Sequence, residues 1–340
     1  MISLFGNSTS QRLSKLEQEM SGKVDRITGK GLSTNDFSNA YKAKLDSIDE
    51  DVIEPVVPST AVASDDYVTP QMFGAVGNGW TDDTEAIQKA IDSNLAVYFP
   101  RGEYVINNSL IIDNKKFWNL YAQDATIIYK GSDYAFRILN VMQSNIKIGY
   151  IIAENGGGIE FYSDSRESWN QYVVLDFNCI GAKTDCIHVE TADNGWCNEN
   201  HVYGGRFLSG ENGVNIVSRS HHTINGWKFY NCGIEGVTNG FMFDATEDDE
   251  TAICNMAISN CRYGESFETI LKTNGLVYDC LWLAPSHVDS TIISCSPQTT
   301  RFEILAPIGD YWHMHDTAYI RGVIMDGKLM GERPIYETIK

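Results

Sequence analysis

One spacing restricts this chain more than any other feature. Leu175, Val202, Phe229 and Met256 are each 27 residues apart, and so are Ile180, Phe207, Ile234 and Cys261. A third column runs Ile187, Val214 and Phe241, resumes at Ile270 after a two-residue insertion, and has Ile159 as its earlier member. Asp185-Cys186, Asn212-Gly213 and Asn239-Gly240 precede that column at one offset and read as turns. Within it, apolar and polar residues alternate, as in Ile187-His188-Val189, so one face of an extended strand is buried. Three short strands per unit, with no helix between them, suit one coil of a parallel β-helix. Each coil leaves an apolar face open until the next coil stacks on it. A β-sandwich also places strands every ~8–12 residues, but it predicts no constant register in three columns. The expected fold class is therefore all-β, a parallel β-helix.

Charge narrows the partners. The 340 residues carry a net charge of −19, and no basic stripe offsets it, so a nucleic-acid backbone is excluded as the main partner. No apolar run approaches the ~18–20 residues of a transmembrane helix, so no membrane insertion is expected. The opening MISLFGNSTSQRLSK has neither a long apolar core nor a small-residue cleavage site, so no secretory signal is expected. All eight cysteines lie between Cys179 and Cys295 without a CxxC pair. They read as buried free thiols, with disulfides as the alternative.

The chain divides by texture. Residues 1–60 hold seven basic and nine acidic residues, so nearly all the net charge lies beyond them. Leu13, Leu16, Met20, Val24 and Ile27 form an a/d seam of about two heptads, too short to be stable alone, which implies oligomerisation driven elsewhere. A single amphipathic helix packed on its own domain is the alternative. Ser33 to Asp36 can cap a second helix with the apolar face Phe37, Tyr41, Leu45 and Ile48. Residues 51–66, with Pro55 and Pro58, read as an extended linker. The β-helix is expected over residues 68–300, with residues 301–340 outside the repeat as a terminal cap or tip element.

At 74–91 the sequence reads GAVGNGWTDDTEAIQKAI, followed by VYFPRGEY at 97–104. Asp82 and Glu85 are spaced as a capping pair for a helix near 83–93, whose stripe is Ile87, Ala90 and Ile91. These segments resemble the opening signature of the pectate-lyase-like, right-handed parallel β-helix superfamily. There a Gly-rich loop, a paired Asp-Asp-Thr and a capping helix close the first coil. Asn78 departs from the usual Asp of that signature. The resemblance implies a structural motif, so Asp82 and Asp83 are caps, not catalytic acids. GKGLSTNDFSNAYKAKLDSI at 29–48 is similar to a connector in phage and prophage tail appendages. That similarity implies a homotrimer whose N-terminal stalk, residues 1–60, docks to phage tail or baseplate proteins. The protein would then sit in the virion tail, after assembly in the host cytoplasm.

If Leu175, Val202 and Phe229 point inward, their successors Asp176, Tyr203 and Tyr230 point outward, one per coil. His201 and Lys228 flank them from the preceding outward position. Strands ~4.8 Å apart would stack the two tyrosines into a platform for a sugar ring, and the partner expected is a host cell-surface polysaccharide. Packing against a neighbouring subunit is the other use of such tyrosines. Hydrolysis needs two carboxyls, and Glu190 with Asp244 is the best repeat-related pair, about 10 Å apart across two coils. His313, His315 and Asp316 could hold a metal, but on a strand His313 and His315 share one face with no obvious third ligand; His221-His222 and Glu247 to Glu250 read as solvated loops, and no metal or cofactor is expected. No P-loop, GxSxG or HExxH pattern is present. Three functions remain: an adhesin of the virion that binds a glycan, a tail-spike depolymerase that cleaves it as hydrolase or lyase, and a free secreted polysaccharide lyase. The stalk and the absent signal disfavour the third.

Overall fold

The computed structural model describes residues 66–340, apart from 166, 220, 247–249, 265–267, 284–292, 309–317, 326–327 and 336–340. The stalk heptads, the second N-terminal helix, His313, His315 and Asp316 all lie outside the described residues, as does most of the 247–250 acidic run. The fold is an all-β parallel solenoid. Strands of successive coils pair in parallel, one above the other. Parallel pairing ends at Thr300–Ile308, onto which Ala318–Met325 and then Lys328–Ile335 add antiparallel. No helix among the described residues is long and apolar enough to cross a membrane.

The core is a set of vertical columns. One runs Val68, Val97, Leu120, Ile146, Leu175, Val202, Phe229, Ile258 and Trp282, all in register. Every member is buried. A coil of three or four short strands cannot bury its own apolar side chains, so they lie on like side chains above and below. Phe177 and Phe207 pack this way at 5.2 Å, and Phe229 meets Phe241 edge-on at 5.3 Å.

The constant spacing ends sooner than the sequence indicates. Val217 pairs with Asp244, 27 residues on, but Thr223 pairs with Ala252, 29 on. Two extra residues therefore enter between Ala245 and Ala252. Phe229 is followed in its column by Ile258, not Met256, and Ile234 by Tyr263, not Cys261. In the third column Phe241 is followed by Leu271, not Ile270. Met256 and Cys261 are nevertheless buried, since they occupy the rungs after the buried Trp227 and Cys232.

The N-terminal end is closed by α1, Thr84–Asp92, whose Ile87, Ala90 and Ile91 are fully buried. Its start differs from the expected capping pair. Asp82 accepts from the Thr84 amide at 3.0 Å and from Asn107 Nδ2 at 2.8 Å. Glu85 points to solvent and pairs with Lys89 at 2.6 Å. Asp83, nearly fully buried, does not cap the helix; its carboxylate accepts from the amides of Val76 and Gly77 at 2.7 and 2.9 Å and so ties down the Gly-rich loop. Gly77 is required there: its φ is +66°, and a Cβ would lie 2.9 Å from the Tyr104 ring. All eight cysteines are free thiols.

Candidate functional site

The register that builds the core also aligns the outer faces. Asp176, Tyr203 and Tyr230 occupy one outward column, and His201 lies beside Lys228 at the preceding outward position, two residues earlier. The Tyr203 and Tyr230 rings stack at 5.1 Å with planes 20° apart. His201 meets both edge-on, at 6.1 and 6.3 Å, with Nδ1 3.4 Å from the Tyr203 hydroxyl. Partial burial, aided by the positive charge of Lys228, holds the His201 pKa below its ordinary value, so the ring is neutral at pH 7. Lys147, one coil before, approaches Asp176 at 3.9 Å. Further toward the N-terminus the column carries Tyr121 and Tyr98, both exposed.

A groove of about 840 Å³ adjoins this face where each coil turns into its second strand. Asn178, Arg206, Asn231, Glu235, Asn260 and Arg262 contribute its polar wall, and Arg206 is ion-paired to Glu235. Aromatic rings beside fixed amides, a carboxylate and guanidinium groups can take the apolar face of a sugar and bind its hydroxyls.

The third-strand face carries the other candidate residues. Glu190 is in register with Val217, and Val217 with Asp244, so a valine stands between the two acids. Glu190 accepts from His188 Nε2 at 3.3 Å and lies 3.3 Å from Arg219 Nε. The hydrogen bond from His188 holds its carboxyl below the usual range, so Glu190 is a carboxylate at neutral pH. Asp244 accepts from the Thr246 amide and hydroxyl at 3.2 and 2.6 Å.

Sequence reasoning missed the network around His188. This buried imidazole has Nδ1 2.8 Å from Asp185 and stacks on Tyr134 at 5.2 Å. Burial pulls its pKa down, but hydrogen bonds with Asp185 and Glu190 outweigh that and hold it up at about 9. Asp185 also accepts from Asn212, Asn215 and Tyr134 at 2.7, 2.9 and 3.2 Å. The Asp185 and Asn212 positions therefore begin a side-chain ladder within strands rather than turns, continued by Asn239 on Asn212 at 2.8 Å. Tyr134 reaches across two coils because Gly157 lies beneath its ring, where a Cβ would sit 2.3 Å from the ring carbons. One coil earlier, Arg137 binds the buried Glu160 at 2.5 Å. Every charge in this network has a partner, so it braces the face instead of offering an unpaired acid. Among the described residues, no three His, Cys, Asp or Glu side chains are grouped to hold a metal ion.

The family model for rhamnogalacturonase A and epimerases of the pectate-lyase-like fold matches residues 70–280. The chain belongs to that pectate-lyase-like family. Over 240 residues it is 46% identical to a depolymerase of Klebsiella phage K64-1 described as specific for capsules K30 and K69, covering 63% of this chain and 27% of that protein. Over 45 residues it is 47% identical to the pre-neck appendage protein of Bacillus phage B103, covering 13% of this chain and 5% of that one. The chain thus spans well under a third of the length of either relative. Among solved structures, the A-module of a mannuronan C-5 epimerase of Azotobacter vinelandii aligns at 15% identity with a TM-score of 0.41, covering 69% of this chain and 80% of that one.

Proposed function

We propose that the chain is part of a phage tail appendage, a tail spike or tail fibre, that adsorbs the particle to its host by binding a cell-surface polysaccharide. One observation carries this reading: Tyr203 and Tyr230 stack face to face on the outside of the solenoid, with His201, Lys228 and Asp176 around them. The similarity to proteins of two phages, one a capsule depolymerase and one a pre-neck appendage, supports the tail assignment. In this reading residues 68–300 form a right-handed β-helix that receives the glycan, and residues 301–340 form a cap or tip. Residues 1–60 form a helical stalk that docks to tail or baseplate proteins, and three chains associate in parallel. The protein is then a component of the virion tail, assembled in the host cytoplasm.

The depolymerase relative favours a second reading, in which the glycan is also cleaved. Glu190 and Asp244 would be the acids, about 10 Å apart and so at the upper edge of the separation for an inverting hydrolase. Incubating the purified chain with the surface polysaccharide of the host distinguishes the two. Binding without new reducing ends or unsaturated products identifies an adhesin, and either product identifies a depolymerase. Absence of any binding to host cells contradicts both.

A further inference from the structure

A second aromatic pair stands on a different face of the same coils. Trp169 and Trp196 are in register on adjacent coils, and their indoles stack at 5.8 Å with planes 27° apart. They remain 40% and 38% exposed, in a molecule that buries Trp227 and Trp282 completely. Singly exposed aromatics such as Trp80 are common, but two adjacent indoles left in water form a contiguous apolar patch, which is a candidate binding site.

The backbone beneath them is fixed. The Trp196 amide donates to Ser163 Oγ at 2.8 Å, and the Trp169 amide to Asn140 Oδ1 at 3.3 Å. Asn170, fully buried between the strands, accepts from the Val141 amide at 3.0 Å and donates to the carbonyls of Ile138 and Tyr162 at 3.0 and 2.8 Å. A rigid platform loses little entropy when a ligand settles on it.

A cavity of about 380 Å³ opens next to the Trp169 backbone, lined by Ser168, its neighbour in sequence, by Asn140, which accepts from its amide, and by Tyr162, Asp113, Asp164 and Arg137 among others. The Arg137 guanidinium is already held by Glu160 at 2.5 Å and Asp133 at 3.5 Å. Open carboxylates and a phenol therefore face this space, a set whose carboxylates accept hydrogen bonds from hydroxyls and repel a uronate.

We propose that the Trp169–Trp196 pair and the adjoining cavity bind an uncharged sugar residue of the polysaccharide, at a site separate from the tyrosine platform. The ring's C–H face lies on the open end of the indole stack, on the Trp169 face turned away from Trp196, and its hydroxyls donate to Asp113 and Asp164. This inference rests on the reading of the chain as a glycan binder.

The test compares wild type, W169A/W196A, W169F/W196F and Y203A/Y230A on an array of neutral and uronate-containing bacterial polysaccharide fragments. Melting temperature and sedimentation are checked for each variant. The expected result is loss of affinity for neutral fragments of at least tenfold in W169A/W196A, with most of it retained by W169F/W196F, and sedimentation unchanged. If Y203A/Y230A loses binding while W169A/W196A does not, the glycan-binding reading stands and the tryptophan site is wrong. Loss of binding with altered sedimentation makes the pair a subunit interface and also overturns the site. Binding at the tryptophans only by uronate fragments overturns the ligand class. No binding by the wild type to any fragment overturns both the site and the reading beneath it.

Discussion

His188 sits where a charged imidazole would be costly without compensation, between Asp185 and Glu190 and under the Tyr134 ring. Its partners raise its pKa from 6.5 to about 9, and that shift has a sign in stability. A group with a raised folded pKa contributes fully below the unfolded value and loses its contribution as pH climbs through the folded one. The contribution of His188 is thus complete below about pH 6.5 and fades as pH rises through about 9. H188Q should cost about 1–3 kcal/mol at pH 6 and much less at pH 10. Buried thiols and tyrosines also respond to alkali, but both proteins share them, so the difference between the two stability curves isolates His188. Parallel curves from pH 6 to 10 would remove its assigned role. This network was not legible in the sequence, because Tyr134 and Asp185 are 51 positions apart and meet only through the gap left by Gly157. The Tyr203–Tyr230 stack was legible, since a 27-residue offset and strand alternation suffice to place both rings outward and adjacent. The Trp169–Trp196 pair has the same offset and lay in view of the same reasoning.

Among the elements, each strand is stable through its position in a column and not through its own propensity. Phe229 lies between Val202 and Ile258, flat against Trp227 and edge-on to Phe241. F229A should therefore destabilise the solenoid by about 3–5 kcal/mol, the cost of a large buried cavity. Urea unfolding measures it; a loss below about 1 kcal/mol would mean that the column tolerates a gap, against the packing described. The columns were legible from Leu175 to Phe229 because inward residues there recur without interruption. They were lost after Phe241, where two residues enter near the acidic run. Nothing apolar marks that entry, and Met256, itself buried one coil after Trp227, imitates the expected residue. The helix α1 was legible in extent, but the capping pair read from the Asp82–Glu85 spacing does not form, because Asp82 binds Thr84 and Asn107 and Glu85 finds Lys89.

For the whole molecule, stacking coils solves the burial problem along one direction only, leaving long lateral faces that carry tyrosines, tryptophans and paired charges. Three parallel chains would use one of these faces against each other and leave another for the glycan. Sedimentation equilibrium at micromolar concentration should return three times the 38.0 kDa chain mass, and a 38.0 kDa species would contradict the trimer. Deleting residues 1–60 should leave the solenoid able to bind cells and unable to join particles; truncated chains found in virions would refute that division. The central claim is that the stacked tyrosines receive the host polysaccharide, and equilibrium binding of wild type and Y203A/Y230A to host cells tests it most directly. The account predicts that the double variant binds more than tenfold more weakly with a nearly unchanged melting temperature, whereas equal binding by the two proteins would contradict it.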